Sequence, residues 1–470
     1  MLIYAYCQGV RSSRQIERKC LTDVSFRVLC AQDPPDHATI ARFRAENEDT
    51  FAALFTQVLL VAAESGLARL GTVAIDGTKI PANASIDANR GQEWLEGQVR
   101  LLVDDGRRLD AAEDACCAGS SDDDSDGDRL PPRLRDRSHR AERIRQAAQQ
   151  VADQASRRER AEQEREEVAL ARRRRSEGGA PVVGRIPEGP HRLAEAQAHL
   201  AREIAVHQAK LDRYAAILAA GGRPMGRPPV EVEQSTRIQR ARRVVQAAID
   251  AQNKAASADQ STDSASRRRK PKHLPNVVAN TTDPQSRIMP TRKGFLQGYN
   301  AQLAVSTDQV ILAVSVGQST NDQACFVPMM HATQHAADRL HARTGSDAHV
   351  VGMLLADAGY SSDANLAAPG PDRLIALGKS RDQSRAASRE PALGPPPPDA
   401  TARQAMSHRL RTEEGETLYK RRGATVEPAI GNLKKILDRF SRRGLNAALG
   451  ELQLAAMAFN LLKIYRTAAS

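Results

Sequence analysis

One segment of this chain sets the terms for everything else. From about residue 90 to 275 the sequence is rich in Ala, Arg, Glu and Gln and nearly free of aromatic residues, while β-rich blocks lie on both sides of it. Any sheet that uses both sets of blocks must close across this segment. Breaks at Gly178-Gly179, Gly221-Gly222 and a Ser/Asp tract near 256–266 divide it. They leave long helical patterns at about 138–175, 190–220 and 230–254. Alternating charges along the first pattern predict a solvated helix or coiled coil.

The flanking blocks read differently. Gly71 to Asp76 is a short β-branched run before Gly77, and it predicts a buried strand ending at Asp76. Gly298–Val305 and Val310–Val316, separated by Ser306-Thr-Asp-Gln, predict a hairpin, and Asn321 is placed at the start of an amphipathic helix. Val350–Ala356 and Leu374–Leu377 predict two more strands, and the Ser/Arg/Pro-rich stretch from about 380 to 404 a loop. Helices are expected at about 426–440 and 446–467. Residues 1–70 read as helical: Ser12 or Ser13 and Asp23 are candidate caps, and Pro34-Pro35-Asp36 precedes one long helix carrying Ile40, Phe43, Phe51, Leu54, Val58 and Val61. That pattern suits a helix-turn-helix-like module and equally a small bundle. The expected fold class is α/β, with a helical domain at 1–70, a first strand at 71–90, a helical insertion at 91–275 and the rest of the sheet domain at 276–470.

Lys and Arg total 68 against 57 Asp and Glu, a formal charge of +11, which favours a polyanionic partner through phosphate contacts and counterion release. The charge is uneven, with an acidic run at 118–128 and basic clusters at Arg172–Arg175, Arg267–Lys270 and Lys420–Arg422. The cysteines form no Cys-x-x-Cys pair and have no His at zinc-ligand spacing. The apolar runs Val58–Ala63 and Leu452–Leu462 fall short of the roughly eighteen residues that a membrane helix needs, so a cytoplasmic protein is expected.

Three carboxylates stand out by position. Asp76 and Asp357 each follow a β-run, and Glu427 is placed at the start of a helix with Val426, Ile430, Leu433 and Leu437 on one face, where Pro428 would be tolerated. Carboxylates at neighbouring strand ends, facing a third on a helix, can hold two Mg²⁺ ions roughly 3.5–4 Å apart, as phosphodiester chemistry requires. Singly, each has an ordinary reading: a turn at Asp76-Gly77, a turn at Asp357, a favourable helix-end charge at Glu427. The order strand-Asp, hairpin, helix, strand-Asp, helix-Glu is far more specific and is that of a ribonuclease-H-like catalytic domain.

Six segments resemble those of DDE transposases from bacterial insertion sequences. They are 6–17 (Tyr-Cys-Gln-Gly-Val-Arg-Ser-Ser-Arg-Gln-Ile-Glu), 36–44, 75–85 (Ile-Asp-Gly-Thr-Lys-Ile-Pro-Ala-Asn-Ala-Ser), 298–305 (Gly-Tyr-Asn-Ala-Gln-Leu-Ala-Val), 356–360 (Ala-Asp-Ala-Gly-Tyr) and Tyr419-x2-Arg422-x4-Glu427-x6-Lys434. The last is similar to the family's Tyr-Arg-Glu-Lys signature, with one more residue between Arg and Glu than its commonest form. The resemblance covers roughly residues 1–90 and 275–465. It implies Asp76, Asp357 and Glu427 as the catalytic, metal-binding triad, with Mg²⁺ as cofactor and Mn²⁺ able to substitute. Tyr419, Arg422 and Lys434 would contact DNA phosphates or orient the site. The activity implied is cleavage of element ends and strand transfer into target DNA by a homodimer or larger assembly, nucleoid-associated in a bacterial cytoplasm. Three departures accompany the likeness: the chain looks shortened at its N-terminus, its insertion falls between the first and second strands, and a Pro-rich stretch leads to Glu427. The alternatives are a nuclease of the same fold that cuts without joining, and an inactive or truncated remnant that only binds DNA.

Overall fold

A computed structural model describes residues 1–117, 132–177, 191–223, 228–260, 277–291 and 294–468. The acidic run 118–128, the Gly178-Gly179 break and the Arg267–Lys270 cluster lie outside the described residues. The elements are α1 (Leu2–Cys7), α2 (Ser13–Thr22), α3 (Val24–Leu29), α4 (His37–Glu46), α5 (Thr50–Glu64), β1 (Thr72–Pro81), β2 (Asn89–Gly91), α6 (Gln92–Cys117), α7 (Pro132–Glu177), α8 (His191–Ala219) and α9 (Thr236–Gln260). They continue with β3 (Val278–Asn280), β4 (Arg287–Thr291), β5 (Gly294–Ser306), β6 (Ile311–Gly317), α10 (Phe326–Thr344), β7 (Met353–Ala356), α11 (Asp363–Ala367), β8 (Arg373–Ile375), α12 (Ser380–Arg389), α13 (Ala402–Arg409), α14 (Glu413–Ile436) and α15 (Leu445–Ala468). The chain divides into two compact units, one of residues 1–151 with 278–470 and one of residues 152–277.

The first unit is mixed α/β. Its main sheet runs β4-β5-β1-β7-β8, with β6 also on β5. β5 pairs antiparallel with β1, β4 and β6, whereas β7 pairs parallel with β1 and with β8. The central strands read as near-continuous apolar runs because helices cover the sheet. Val73, Ala74 and Ile75 of β1, Leu303 to Val305 of β5 and Leu354 to Ala356 of β7 are all fully buried. α14 packs on β1, β5 and β7; α10 packs on β5, β6 and α5. The outer edge of β6 is closed by α15, where the buried Asn460 accepts a hydrogen bond from the Ile311 amide and donates one to its carbonyl, both at 2.9 Å. A side-chain amide there satisfies backbone groups that an open edge would leave bare.

In the second unit α8 packs on α9, and a short Arg172–Glu195 ion pair, 2.5 Å, joins α7 to α8. Its described interior is narrow and mostly alanine: Ala169, Ala196, Ile238, Ala241 and Ala248. The three long helices of this region match the periodic segments of the sequence.

Elsewhere the structure departs from expectation for local reasons. The single helix expected from residue 36 is two helices, α4 and α5. Asn47 donates to the Phe43 carbonyl and Thr50 to the Asn47 carbonyl, bonds that compete with the helical ladder and break it. Phe43, Leu54 and Val61 are consequently exposed, while Ile40, Phe51 and Val58 are buried. Asp23 and Asp36 do cap α3 and α4, accepting from the Ser25 and Thr39 amides. Asn321 precedes α10 by five residues. The 380–404 stretch is partly helical, since Ser380–Arg389 contains no proline and α12 ends two residues before Pro391. α15 is long and apolar enough to cross a membrane, with mean hydropathy 1.2, beyond what its apolar run suggested. It lies against α1, α5, α14 and β6, and Leu452 and Ala455 to Ala458 are fully buried, so it is a core helix of this unit.

Candidate functional site

Asp76 sits in the middle of β1, not at its end. The strand runs on through Thr78, Lys79 and Ile80, with Asp76 opposite Leu303 and Gly77 opposite Gln302. Gly77 is there for room rather than for a turn: a Cβ at that position would lie 2.9 Å from Asp322 Oδ1 and collide with the Gln302 amide. Asp357 immediately follows β7. Because β1 and β7 run parallel with Ile75 beside Ala356, the next step along both strands sets Asp76 beside Asp357.

The two carboxylates are held differently. Asp357 Oδ1 accepts the Gly359 amide at 2.8 Å and caps the 3-10 turn Ala358–Tyr360. Asp76 Oδ1 accepts the Gly77 amide at 2.8 Å, and its Oδ2 accepts Arg422 Nη1 at 2.9 Å. Burial pushes the Asp76 carboxyl above its ordinary range; Arg422 pulls it back and the charge of Asp357 adds to the rise.

Arg422 comes from α14, which starts thirteen residues earlier than the sequence suggested, so Glu427 and Pro428 lie inside the helix and not in its first turn. Thr412 caps this helix by accepting from the Gly415 amide at 3.1 Å, and Glu413, Glu414 and Glu416 favour its N-terminal dipole. Pro428 has no amide to give the Ala424 carbonyl. Gln309 Nε2 supplies a donor there instead, at 3.4 Å. Tyr419 lies one turn before Arg422. Its hydroxyl is pushed up by burial, with Arg422 opposing and Asp357 and Asp76 adding, so it stays a protonated donor. Tyr419, Lys420, Arg422, Gly423 and Glu427 line a cavity of about 240 Å³ together with Glu416. Glu427 is exposed and lies back along its own helix, with Oε1 3.4 Å from where a Cβ on Gly423 would be. Lys434 is exposed two turns further on.

The structure thus brings together Asp76, Asp357, Arg422 and Tyr419, places Glu427 with Tyr419 and Arg422 in the lining of the cavity, and leaves Lys434 outside it. Among the described residues no three acidic, His or Cys side chains are gathered as a metal cage.

Sequence reasoning passed over the opposite face of the same strands. Asp322 Oδ1 accepts from Asn300 Nδ2 at 2.7 Å, Gln302 Nε2 at 2.8 Å and Lys79 Nζ at 3.3 Å. The fully buried Tyr360 donates its hydroxyl to Gln302 Oε1. A signal was available: Asn300 and Gln302 are two amides at i, i+2 in a buried stretch of β5 between Tyr299 and Leu303, and buried amides demand partners.

Two family models match the chain: a Transposase domain (DUF772) over residues 1–46, spanning α1 to α4, and a Transposase DDE domain over residues 396–465. The second contains Tyr419, Arg422, Glu427 and Lys434 but neither Asp76 nor Asp357. No curated protein and no solved structure matches the chain. The two matches lie at opposite ends of the sequence, in one unit where α1 packs on α15, and together they support a DDE-type transposase.

Proposed function

We propose that this chain cuts the ends of an insertion element and joins the freed 3′-hydroxyls to target DNA, using Asp76, Asp357 and Glu427 on a ribonuclease-H-like sheet. The observation that carries the reading is the parallel β1–β7 pairing that sets Asp76 beside Asp357, with α14 of the DDE match packed across both strands. The strand order supports the fold: β6, β5 and β1 form an antiparallel meander, and β7 and β8 extend it in parallel on the far side of β1.

Asp76, Asp357 and Glu427 would hold Mg²⁺, with Mn²⁺ able to substitute; bound there, such ions activate a water or 3′-hydroxyl and offset charge on the phosphate. The chain's own groups do the rest. Arg422 pairs with Asp76 at 2.9 Å, and its remaining N–H groups suit a phosphate. Tyr419 offers a second, protonated donor beside it. Lys434, exposed on the same helix, is positioned for a backbone phosphate outside the cavity. The excess of 11 positive charges favours the DNA polyanion. Pairing of two element ends would call for a homodimer or larger assembly on DNA, associated with the nucleoid.

A second reading, a remnant that binds DNA without cutting it, is favoured by one observation: Arg422 closes on Asp76 while Glu427 stands apart. Incubation of labelled element-end DNA with Mg²⁺ or Mn²⁺ decides between them. Metal-dependent cleaved and joined products, reduced at least about 1,000-fold in Asp357→Ala, support the transposase. Binding by both proteins with no product from either leaves the remnant, and cleavage without joining leaves a nuclease.

A further inference from the structure

We propose that Asp322, Gln302 and Tyr360 form a positioning strut that fixes Asp76 and Asp357 relative to each other from the opposite face of the sheet; this rests on the reading of those two residues as metal ligands. Each proposed ligand is followed by a glycine, Gly77 directly after Asp76 and Gly359 two residues after Asp357. Both glycines face the same carboxylate. A Cβ on Gly77 would lie 2.9 Å from Asp322 Oδ1, and one on Gly359 would lie 3.5 Å from Asp322 Oδ2. Asp322 therefore spans the gap between the two segments that carry the ligands: Gly77 leaves it room, and at Gly359, where a Cβ would first meet Asp357 Oδ1 at 2.9 Å, it lies within ordinary contact distance.

The hydrogen bonds follow the same line. Gln302 is opposite Gly77 in the β1–β5 register and donates to Asp322, while its carbonyl accepts from Tyr360, the last residue of the turn that Asp357 caps. Asn365 Nδ2 then bridges the Tyr360 carbonyl at 2.7 Å and the Gln323 carbonyl at 2.8 Å, and Gln323 Nε2 returns a bond to the Ser361 carbonyl at 3.0 Å. The 322–323 segment is thus tied to the Asp357 turn at several points, to β1 through Lys79 and to β5 through Gln302. Strand alternation sends Asp76 to one face of β1 and Gly77 to the other, so Asp322 acts on Asp76 through the backbone of β1. Partners of this outer kind typically alter metal affinity by about 10–100-fold when removed.

The test uses the full chain with Tyr360→Phe, which deletes one hydroxyl, and Asp322→Asn, which keeps size and removes charge. Three quantities are read: the urea unfolding midpoint, the Mn²⁺ dissociation constant from the electron paramagnetic resonance signal of free Mn²⁺, and kcat and KM for cleavage of element-end DNA. The strut predicts that Tyr360→Phe, still cooperatively folded, binds Mn²⁺ about 10-fold more weakly or worse, with kcat reduced, KM for DNA within about twofold of wild type, and rate partly restored by added Mn²⁺. A lowered unfolding midpoint with Mn²⁺ affinity and kcat unchanged overturns the proposal, because a purely structural bond would behave that way. Should Asp322→Asn fail to fold, Tyr360→Phe alone decides the matter. Wild type and Asp357→Ala are run alongside. Mn²⁺ binding that is lost in Asp357→Ala but unaltered in Tyr360→Phe sinks the strut only, and absence of Mn²⁺ binding by wild type sinks the strut together with the reading beneath it.

Discussion

The two sides of the candidate site are built to different standards of rigidity. On the strand side, Asp76 and Asp357 stand on β1 and just past β7, flanked by fully buried Ile75, Leu303 and Ala356 and backed by a satisfied polar network. On the helix side, Glu427 and Lys434 project from an exposed face of α14, next to Gly423, Pro428 and Gly431. Glycine and proline each weaken a helix interior, by about 1 and about 3 kcal/mol relative to alanine. A single side chain, Gln309, offsets the lost bond at Ala424. The difference teaches where adjustment can occur: two carboxylates are set before any ligand arrives, and the third sits on the element with the weaker local support.

Stability measurements can break this contrast. The largest effect is expected at Leu303, opposite Asp76: Leu303→Ala should cost about 2–5 kcal/mol in urea unfolding, and a loss well below that range would mean that the strand side is not the rigid one.

Next comes the link between the two sides. Arg422→Ala strands a mostly buried Asp76 carboxylate and should cost about 1–3 kcal/mol near neutral pH. The cost should depend on pH with a definite sign. Burial raises the Asp76 carboxyl in the folded protein, so the stability it contributes is complete below the ordinary carboxylate pKa and is lost as pH rises through the raised value. Removing Arg422, which opposes that rise, extends the loss. The deficit of Arg422→Ala should therefore shrink as pH falls below the ordinary carboxylate range, and a deficit independent of pH would remove Asp76 as its cause.

Smaller and opposite in direction, Gly431→Ala should stabilise by about 0.5–1 kcal/mol, since a Cβ there meets no atom within 4 Å; destabilisation would show α14 already optimised. Least of all, Glu427→Gln should move the unfolding free energy by less than about 0.5 kcal/mol, as expected of an exposed side chain. A larger change would mean that Glu427 is already engaged.

How much of this was legible depended on whether a residue's role was local. The long helices α7, α8 and α9 follow from periodicity alone, and Asp23 and Asp36 cap helices as their local sequence says. The pairing of Asp76 with Asp357 followed from element order. Gly77 was misread because a glycine that makes a turn and one that makes room for a neighbour look alike in sequence, and the neighbours, Gln302 and Asp322, are more than two hundred residues away. Pro428 was misread for a similar reason. A proline in a helix interior is normally excluded, and the donor that offsets it comes from Gln309, on the β5–β6 connection. Asp322 carries no local signal, because its partners Lys79, Asn300 and Gln302 all lie twenty or more residues away in the sequence.

The register of β1 also sets a timetable. One edge of this strand waits for β5 and the other for β7, both more than two hundred residues downstream. At roughly 5–20 residues per second, a ribosome would take on the order of 10–40 s to deliver the first of those partners. Through that interval an apolar strand has both edges unpaired, which favours pairing with other nascent chains or capture by a chaperone. Asp76 gains its charged neighbours only as Asp357 and then Arg422 emerge, late in synthesis. A polypeptide still on the ribosome carries the parts of the site but not the site.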